Sequence, residues 1–265
     1  MLPCVALTPG CATVPAPVVD PALRPPFAPA WRTALPGAVA SVRIEAGRVI
    51  VAYRDPPGTA VLDAADGRRL RSAPAPAPAL APPPAAPLAL NDLVLEPHGA
   101  SLVARDAASG ATRWEGTRTG VDPTGAYALG APVAGAGRVV VPAGGEVLAL
   151  APAADAPPAP LRARALAPVV RAGEPATIAG RVETAFAGTA PLAVTAGHAP
   201  LPAVSTRPDG RFAFTVRPRR RTRYRIGGPG VRGPRTVTVA VAPRFDHAPG
   251  RVVVRLPPGV RATGR

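Results

Sequence analysis

The C-terminal part of the chain alternates apolar and polar residues with a period of two. Phe212, Phe214 and Val216, for example, fall on one face of such a segment. This period is typical of β-strands, because successive side chains of a strand point to opposite faces of the sheet. Turn residues such as those at 207–210 (RPDG) separate the segments. The predicted strands are Leu161–Leu166, Ala176–Val182, Leu192–Ala196, Leu201–Ser205, Arg211–Val216, Thr222–Ile226 and Thr236–Val241. So many short strands in so few residues predict a β-sandwich at residues 161–243.

A repeating pattern organises the residues before this segment. The repeat units begin at Gly47, Asn91 and Gly137, which are 44 and 46 residues apart. Each unit is an apolar strand, a turn and a second alternating strand, and the first two units then read Asp-Ala-Ala-x-Gly. A unit of roughly 40–45 residues made of short strands is the size of one propeller blade. The sequence therefore predicts an all-β protein, with partial propeller-type blade repeats followed by the sandwich.

The amino-acid pattern of these units resembles the quinoprotein-like (PQQ-type) β-propeller repeat. Trp31 and Trp114 correspond to the tryptophan that docks one blade on the next, whereas Arg71 stands at that position in the first unit. The third unit has neither the tryptophan nor the Asp-Ala-Ala-x-Gly turn. The resemblance covers residues 31–155 and implies about three blades. Because a closed propeller takes roughly 4–8 blades, the region is a remnant, is completed by a partner, or forms a compact β-domain.

The enzymes of the quinoprotein family use a quinone cofactor together with calcium. No vicinal cysteine pair and no cluster of carboxylates and asparagines in this sequence matches their cofactor-binding residues. Fold resemblance alone does not carry an activity over. We therefore predict a non-enzymatic binding or scaffold protein without a cofactor. The alternative is a fragment of a quinone-dependent (PQQ-type) dehydrogenase-like protein.

The predicted sandwich at residues 161–243 resembles the Ig-like domains of bacterial surface proteins. The turn and strand at 209–212 (DGRF) carry most of the resemblance, and the absence of cysteine from the domain agrees with it. A further strand is predicted at Val252–Leu256. Residues 244–265 are interpreted as the truncated start of a second Ig-like repeat, or as a basic tail.

The net charge of +15 is confined to the C-terminal part. Residues 1–160 hold 12 Arg and 12 acidic residues, whereas residues 161–265 hold 19 Arg and 4 acidic residues. This asymmetry predicts an envelope polyanion or a protein partner for the C-terminal domain. The candidate anion contacts are Arg221, Arg223 and Arg225, which share one face of a predicted strand; the alternative is a solvated face. No nucleic-acid partner is expected, because no recognition helix or stacking aromatics accompany the arginines.

The N-terminus suggests export. Leu7-Thr8-Pro9-Gly10-Cys11 resembles a bacterial lipobox, which makes Cys11 the candidate lipidation site. We interpret residues 1–30 as a signal remnant with a Pro-rich tether, the alternative being a plain tail. The predicted location is extracellular or in the cell envelope, with any membrane association through that lipid anchor.

No catalytic or metal-ligating constellation stands out in the sequence. His98, His198 and His247 lie in Gly/Pro/Ala-rich contexts, without partners at metal or triad spacing. Asp63, Asp66 and Asp106 could form a carboxylate pair, but the repeat turns account for all three. We therefore predict no catalytic, cofactor-binding or metal-binding residues.

Overall fold

The computed structural model describes residues 18–74, 86–119, 128–248 and 251–255, the side chains of 244–255 excepted. Strands form all the regular structure of these residues, which include no helix. The predicted all-β fold class is therefore confirmed.

Twelve strands occupy the first part of the chain. They are β1 (Phe27–Ala34), β2 (Ala38–Glu45), β3 (Arg48–Arg54), β4 (Gly58–Asp63), β5 (Arg69–Pro74), β6 (Leu88–Leu90), β7 (Leu93–His98), β8 (Ser101–Asp106), β9 (Thr112–Arg118), β10 (Val133–Gly135), β11 (Arg138–Ala143) and β12 (Glu146–Pro152).

The remaining strands follow without an intervening helix in the described residues. They are β13 (Leu161–Ala165), β14 (Val169–Val170), β15 (Ala176–Val182), β16 (Phe186–Gly188), β17 (Pro191–Ala196), β18 (Ala199–Ser205), β19 (Arg211–Val216), β20 (Thr222–Gly227), β21 (Arg235–Val241), β22 (Arg244–Ala248) and β23 (Arg251–Arg255).

The chain divides into two compact units, and neither is a single continuous segment. The first unit takes its residues from Met1–Leu23, Trp31–Arg113 and Gly125–Ala149, and the second from Arg24–Ala30, Trp114–Thr124 and Leu150–Arg265. The sequence predicted one boundary between residues 155 and 161. The division differs because β1, β9 and β12 each contribute residues to both units, and strand patterning does not reveal such sharing.

The first unit contains three blade-like sheets. Strands β2, β3, β4 and β5 form an antiparallel meander. Strands β6, β7 and β8 form a second meander, which continues into β9 through a turn closed by the Asp106 N–H and the Ala111 carbonyl. The third sheet has the order β1-β12-β11-β10. The N-terminal strand β1 therefore supplies the fourth strand of the third sheet.

The first strands of the three sheets lie side by side, since β10 contacts both β2 and β6. Innermost strands meet in this way in propeller blades. The three sheets therefore have the form of propeller-type blades, as the repeats predicted.

The blade repeat has a constant period in the structure. Ala46, Asn91 and Ala136 occupy the turn between the first two strands of each blade, and all three have a left-handed backbone, with φ of 47°, 53° and 50°. These turns are 45 residues apart in both steps. The residue equivalent to Gly47 is therefore Asp92 rather than Asn91, so the predicted start of the second unit was one residue early.

The Asp-Ala-Ala-x-Gly turns of the first two blades are the same structure. The N–H of Gly67 donates to the carbonyl of Asp63 over 2.9 Å, and the N–H of Gly110 donates to that of Asp106 over 2.8 Å. Both glycines have φ near 70°, a left-handed conformation that glycine adopts without steric cost.

A turn with the same backbone hydrogen bond is present at Pro152–Ala156, although the third unit lacks the Asp-Ala-Ala-x-Gly motif. The Ala156 N–H donates to the Pro152 carbonyl over 3.2 Å, in the same i+4 to i pattern. The third unit does lack the Asp-Ala-Ala-x-Gly residues, but closure of the turn uses backbone groups alone, so neither the aspartate nor the glycine is required.

Residues just before β1 are folded, contrary to the prediction that the tether extends to residue 30. Val18 pairs in parallel with Leu90, and the Asn91 side-chain amide donates to the carbonyls of Asp20 and Leu23. Leu23 is completely buried. The predicted signal remnant, including Cys11, lies outside the described residues.

The second unit is built around a sandwich of two sheets. One has the order β13-β15-β19, and the other has the order β14-β21-β20-β17-β18, with β14 parallel to β21. Both sheets contribute to one core, which includes Ile178 and Phe212 from the first sheet and Leu192, Ile226 and Val239 from the second. All seven predicted strands are present, with ends within two residues of those predicted. Strands β14 and β16 were not predicted, because two or three residues are too few to show alternation.

Beyond the sandwich, β22 and β23 form an antiparallel hairpin. The strand predicted at Val252–Leu256 corresponds to β23. The described part of residues 244–265 therefore contains regular β-structure, and both interpretations of this segment stay open.

Candidate functional site

Trp31, on the fourth strand of the third blade, packs against the turn of the first blade. Its indole Nε1–H donates to the Ala64 carbonyl over 3.0 Å, and the neighbouring Thr33 hydroxyl donates to the Gly67 carbonyl over 2.7 Å. A Cβ atom on Gly67 would lie 2.4 Å from the indole ring. Trp31 therefore holds two blades together, which is the docking role that its position in the repeat indicated.

Trp114 occupies an aromatic cluster in the second unit. Its ring meets Phe27 edge to face, with centroids 5.3 Å apart, and stacks with Phe186 at 6.1 Å. Gly116 and Gly188 leave room for the ring, since a Cβ atom on either would lie 2.5 Å from it. The buried indole Nε1–H has no hydrogen-bond acceptor among the described residues. This tryptophan is also a core residue.

The aspartates that were candidates for a carboxylate pair accept hydrogen bonds within their own turns. Asp63 Oδ1 accepts the Ala65 N–H over 2.9 Å, and Asp66 Oδ1 accepts the Arg68 N–H over 2.8 Å. Asp106 accepts hydrogen bonds from the Arg113 guanidinium and from Ser109, both at 2.8 Å. The arginine first, and then Ser109, hold the pKa of Asp106 well below its ordinary value. These contacts agree with the turn role that the sequence indicated.

A small charged group lies on the second blade. Glu96 contacts His98 Nε2 over 3.3 Å and Arg105 Nε over 3.0 Å. The bond to His98 is the main cause that lowers the pKa of Glu96, and Arg105 adds to it. Both partners are partly exposed, and such surface pairs contribute little to stability.

The other histidines are separate from this group. His198 is exposed in the turn between β17 and β18, and His247 lies on β22, where the side chains are not described. In the described part of the chain, no three His, Cys, Asp or Glu side chains are grouped as metal ligands. The same part contains no helix suited to spanning a bilayer.

The arginines predicted to contact anions are exposed on the larger sheet of the sandwich. Arg223 and Arg225 lie on β20 and point away from the core, whereas Tyr224 and Ile226 between and beyond them are buried. Burial also raises the pKa of Tyr224. Arg221 precedes β20 and is exposed as well. The predicted outward orientation is present, and the anion contact itself stays a prediction.

A second row of arginines crosses the smaller sheet, and the sequence analysis missed it. Arg162 on β13 is the direct partner of Arg181 on β15, which is in turn the direct partner of Arg211 on β19. All three are exposed, and neighbouring strands lie about 4.8 Å apart. Like charges directly opposite one another in a sheet are destabilising. The fold therefore tolerates a local electrostatic cost on this face.

Three more arginines join this row around an open surface depression of about 640 Å³. They are Arg164, Arg207 and Arg235. Arg164 shares β13 with Arg162, Arg207 lies in the turn before β19, and Arg235 lies on β21 of the larger sheet. These arginines are far apart in the sequence, so no basic cluster is visible there. Alternation indicates that Arg162, Arg181 and Arg211 point outward, but only the register of β13, β15 and β19 brings those three together.

A comparison with known families matches residues 28–156, a little under half of the chain, to a PQQ-type model described as the outer membrane protein assembly factor BamB. The matched residues contain the three blades. The match supports the predicted quinoprotein-like repeats over residues 31–155. It ends before the sandwich begins.

No curated protein matches the chain. Among solved structures, BamB from Moraxella catarrhalis is similar at 13% identity and a TM-score of 0.21, over 85% of this chain and 72% of that chain. The extracellular domain of a one component system from B. thetaiotaomicron is similar at 8% identity and a TM-score of 0.22, over 77% of this chain and 30% of that chain. At such TM-scores the superpositions carry no argument about fold or function.

Proposed function

We propose that the protein is a non-enzymatic scaffold or binding protein of the cell envelope, built from quinoprotein-like blades and an immunoglobulin-like module. The match of residues 28–156 to a repeat model named for an outer membrane assembly factor carries this proposal. On this view the chain is exported and works outside the cytoplasm, and Cys11 is its candidate lipid anchor.

The contacts of the blades support a structural rather than a catalytic role. Asp63, Asp66 and Asp106 bind N–H groups of their own turns, and Trp31 is held between two blades. These polar groups stabilise the repeat itself. Such blades offer a rigid surface for partners, as other propeller proteins do.

The topology of the second unit supports the immunoglobulin-like module. The sandwich pairs a sheet of β13, β15 and β19 with a sheet in which β20 lies between β21 and β17. Along the chain, β13 and β15 belong to the smaller sheet, β17 and β18 to the larger, β19 to the smaller again, and β20 and β21 to the larger. The chain thus crosses between the sheets repeatedly, as in immunoglobulin folds. The module has no cysteine, so it lacks the inter-sheet disulfide of antibody domains.

The strongly basic second unit supports an anionic envelope partner or an acidic protein partner. Residues 161–265 carry the entire net charge of the chain. Attraction by such a surface is long-range and is screened over roughly 8 Å at physiological ionic strength.

Fractionation of cells that produce the protein from its own gene tests the envelope location. We expect an antibody against the chain to detect it in the envelope fraction, and Cys11→Ser to release it from the membrane. Cys4→Ser is the matched control and should leave the distribution unchanged. Detection of the native protein in the cytoplasm alone would contradict the proposal.

Cofactor binding separates the scaffold from the dehydrogenase-like alternative. Purified chain is mixed with pyrroloquinoline quinone and calcium, dialysed, and examined for the absorbance of the quinone. We expect none to be retained. Stoichiometric retention would favour the enzyme fragment instead.

A further inference from the structure

Six arginines of the second unit share one surface, which we name the basic face. They are Arg162, Arg164, Arg181, Arg207, Arg211 and Arg235. Glu183 pairs with Arg162 over 2.8 Å, and Asp209 pairs with Arg211 over 3.5 Å. The other four arginines have no acidic partner among the residues described. The basic face therefore keeps a positive excess that its own neighbours do not neutralise.

An exposed apolar segment borders the basic face. Leu166 lines the same depression as the arginines and is 58% exposed, and Val169 is 56% exposed. The segment between β13 and β14 reads Leu-Ala-Pro-Val at 166–169. Large apolar side chains at a basic surface are typical of a site that meets a partner with both charged and apolar parts.

The backbone holds this apolar segment in place at both ends. The Leu166 N–H donates to the Thr177 carbonyl over 2.9 Å, and the Ala240 N–H donates to the Pro168 carbonyl over 2.8 Å. Leu166 and Val169 are thus presented from an ordered part of the sandwich, and little conformational entropy is lost if they insert into an apolar phase.

We infer that the basic face docks on an anionic membrane surface. The guanidinium groups would bind lipid phosphates, for which their paired N–H donors are suited, and Leu166 with Val169 would enter the boundary between headgroups and acyl chains. A water-soluble polyanion would satisfy the arginines but would leave the exposed leucine without a partner. The inference rests on the proposed envelope location, but the docking itself is testable on purified protein.

Flotation of the purified full chain with vesicles tests the docking. We expect binding to phosphatidylcholine vesicles that contain phosphatidylglycerol, none to phosphatidylcholine alone, and release as salt is raised. Arg164→Ser/Arg181→Ser/Arg207→Ser should lower the partition coefficient by about 10- to 100-fold, since each basic residue near an anionic surface adds to binding. Arg221→Ser/Arg223→Ser/Arg225→Ser removes the same charge from the larger sheet and should lower it by less than about threefold.

The apolar contribution is tested with Leu166→Ser. This variant should bind vesicles several-fold more weakly while binding soluble polyphosphate as well as the parent does. Leu70→Ser is the control, because Leu70 is also an exposed leucine, at 42%, and lies on β5 of the first unit. Unchanged circular dichroism spectra and melting temperatures establish that all variants are folded.

Three results would overturn the inference. The first is no binding of the parent to anionic vesicles at low salt. The second is an equal loss in the two triple variants, which would assign the binding to overall charge. The third is a Leu166→Ser variant that binds vesicles like the parent, which would assign the basic face to a soluble polyanion. A chain that fractionates with the envelope but fails these tests refutes only the docking, because the fractionation tests the location by itself.

Discussion

Gly67 and Gly110 occupy equivalent turn positions with the same left-handed backbone, yet only Gly67 faces a tryptophan. Replacement of either by alanine strains the backbone by about 1 kcal/mol. Gly67→Ala must also displace the Trp31 ring, which adds about 1–3 kcal/mol. We expect urea unfolding to show a clearly larger loss for Gly67→Ala than for Gly110→Ala. Equal losses would contradict the observed docking of Trp31.

Because of Asp106, the folding stability of the second blade should decrease at low pH. Its pKa is lowered in the folded chain, mainly by Arg113, whereas an unfolded aspartate titrates at about 3.9. The ionised form is therefore favoured by folding, so the stabilisation is complete above the unfolded pKa and is lost as the pH falls through the folded one.

Asp106→Asn should accordingly reduce the loss of stability on acidification. Urea unfolding at a series of pH values measures this effect. Asp63→Asn is the matched control, because Asp63 has the equivalent position but accepts a backbone N–H of its own turn without an arginine contact among the described residues. The same acid dependence in Asp106→Asn and the parent would refute the role of the Arg113 pair.

At the scale of elements, Trp31 and Trp114 occupy equivalent strands but differ in the hydrogen bond that docks one blade on the next. Each lies on the fourth strand of a blade, but Trp31 donates a hydrogen bond to the first-blade turn, whereas Trp114 is buried without an acceptor in the described chain. Trp31→Phe loses that bond, which is worth about 1 kcal/mol, and Trp114→Phe loses none.

We therefore expect Trp31→Phe to lower the free energy of unfolding by about 1 kcal/mol more than Trp114→Phe, which removes a ring of the same size. Chemical denaturation followed by circular dichroism measures both variants without relying on indole fluorescence. A larger loss in Trp114→Phe would indicate that the aromatic cluster outweighs the hydrogen bond.

At the scale of the whole molecule, the uneven charge should give the two units different responses to salt. The segments of the second unit hold 21 arginines and 7 acidic residues, whereas those of the first hold 10 arginines and 9 acidic residues. Screening should relieve the repulsion within the second unit and leave the first almost unaffected.

The tryptophans make this difference measurable in the full chain, because Trp31 belongs to the first unit and Trp114 to the second. Added sodium chloride should raise the melting temperature reported by Trp114 in the Trp31→Phe variant more than that reported by Trp31 in the Trp114→Phe variant. An equal shift in both would contradict a localised charge excess.

Far-UV circular dichroism of the parent should show β-structure with little helix.

Local patterns in the sequence were enough to predict the strands, the turns and the direction of individual side chains. Arg223 points outward and Tyr224 inward because the pleat of a strand alternates its faces, whatever lies beside it. The Asp-Ala-Ala-x-Gly turns were equally readable, since their hydrogen bonds close within five residues. The family resemblance of the blades depends on the same short motifs, so the amino-acid sequence alone is enough to recognise it.

Only the tertiary structure decided which strands are neighbours. The place of β1 in the third blade and the row formed by Arg162, Arg181 and Arg211 both depend on hydrogen-bonded ladders between distant segments. Alternation does not specify such partners, because every strand with one apolar face satisfies it equally well. The sequence by itself thus determined an all-β chain with a neutral repeat region and a basic C-terminal region. The long-range pairing determined where the arginines gather.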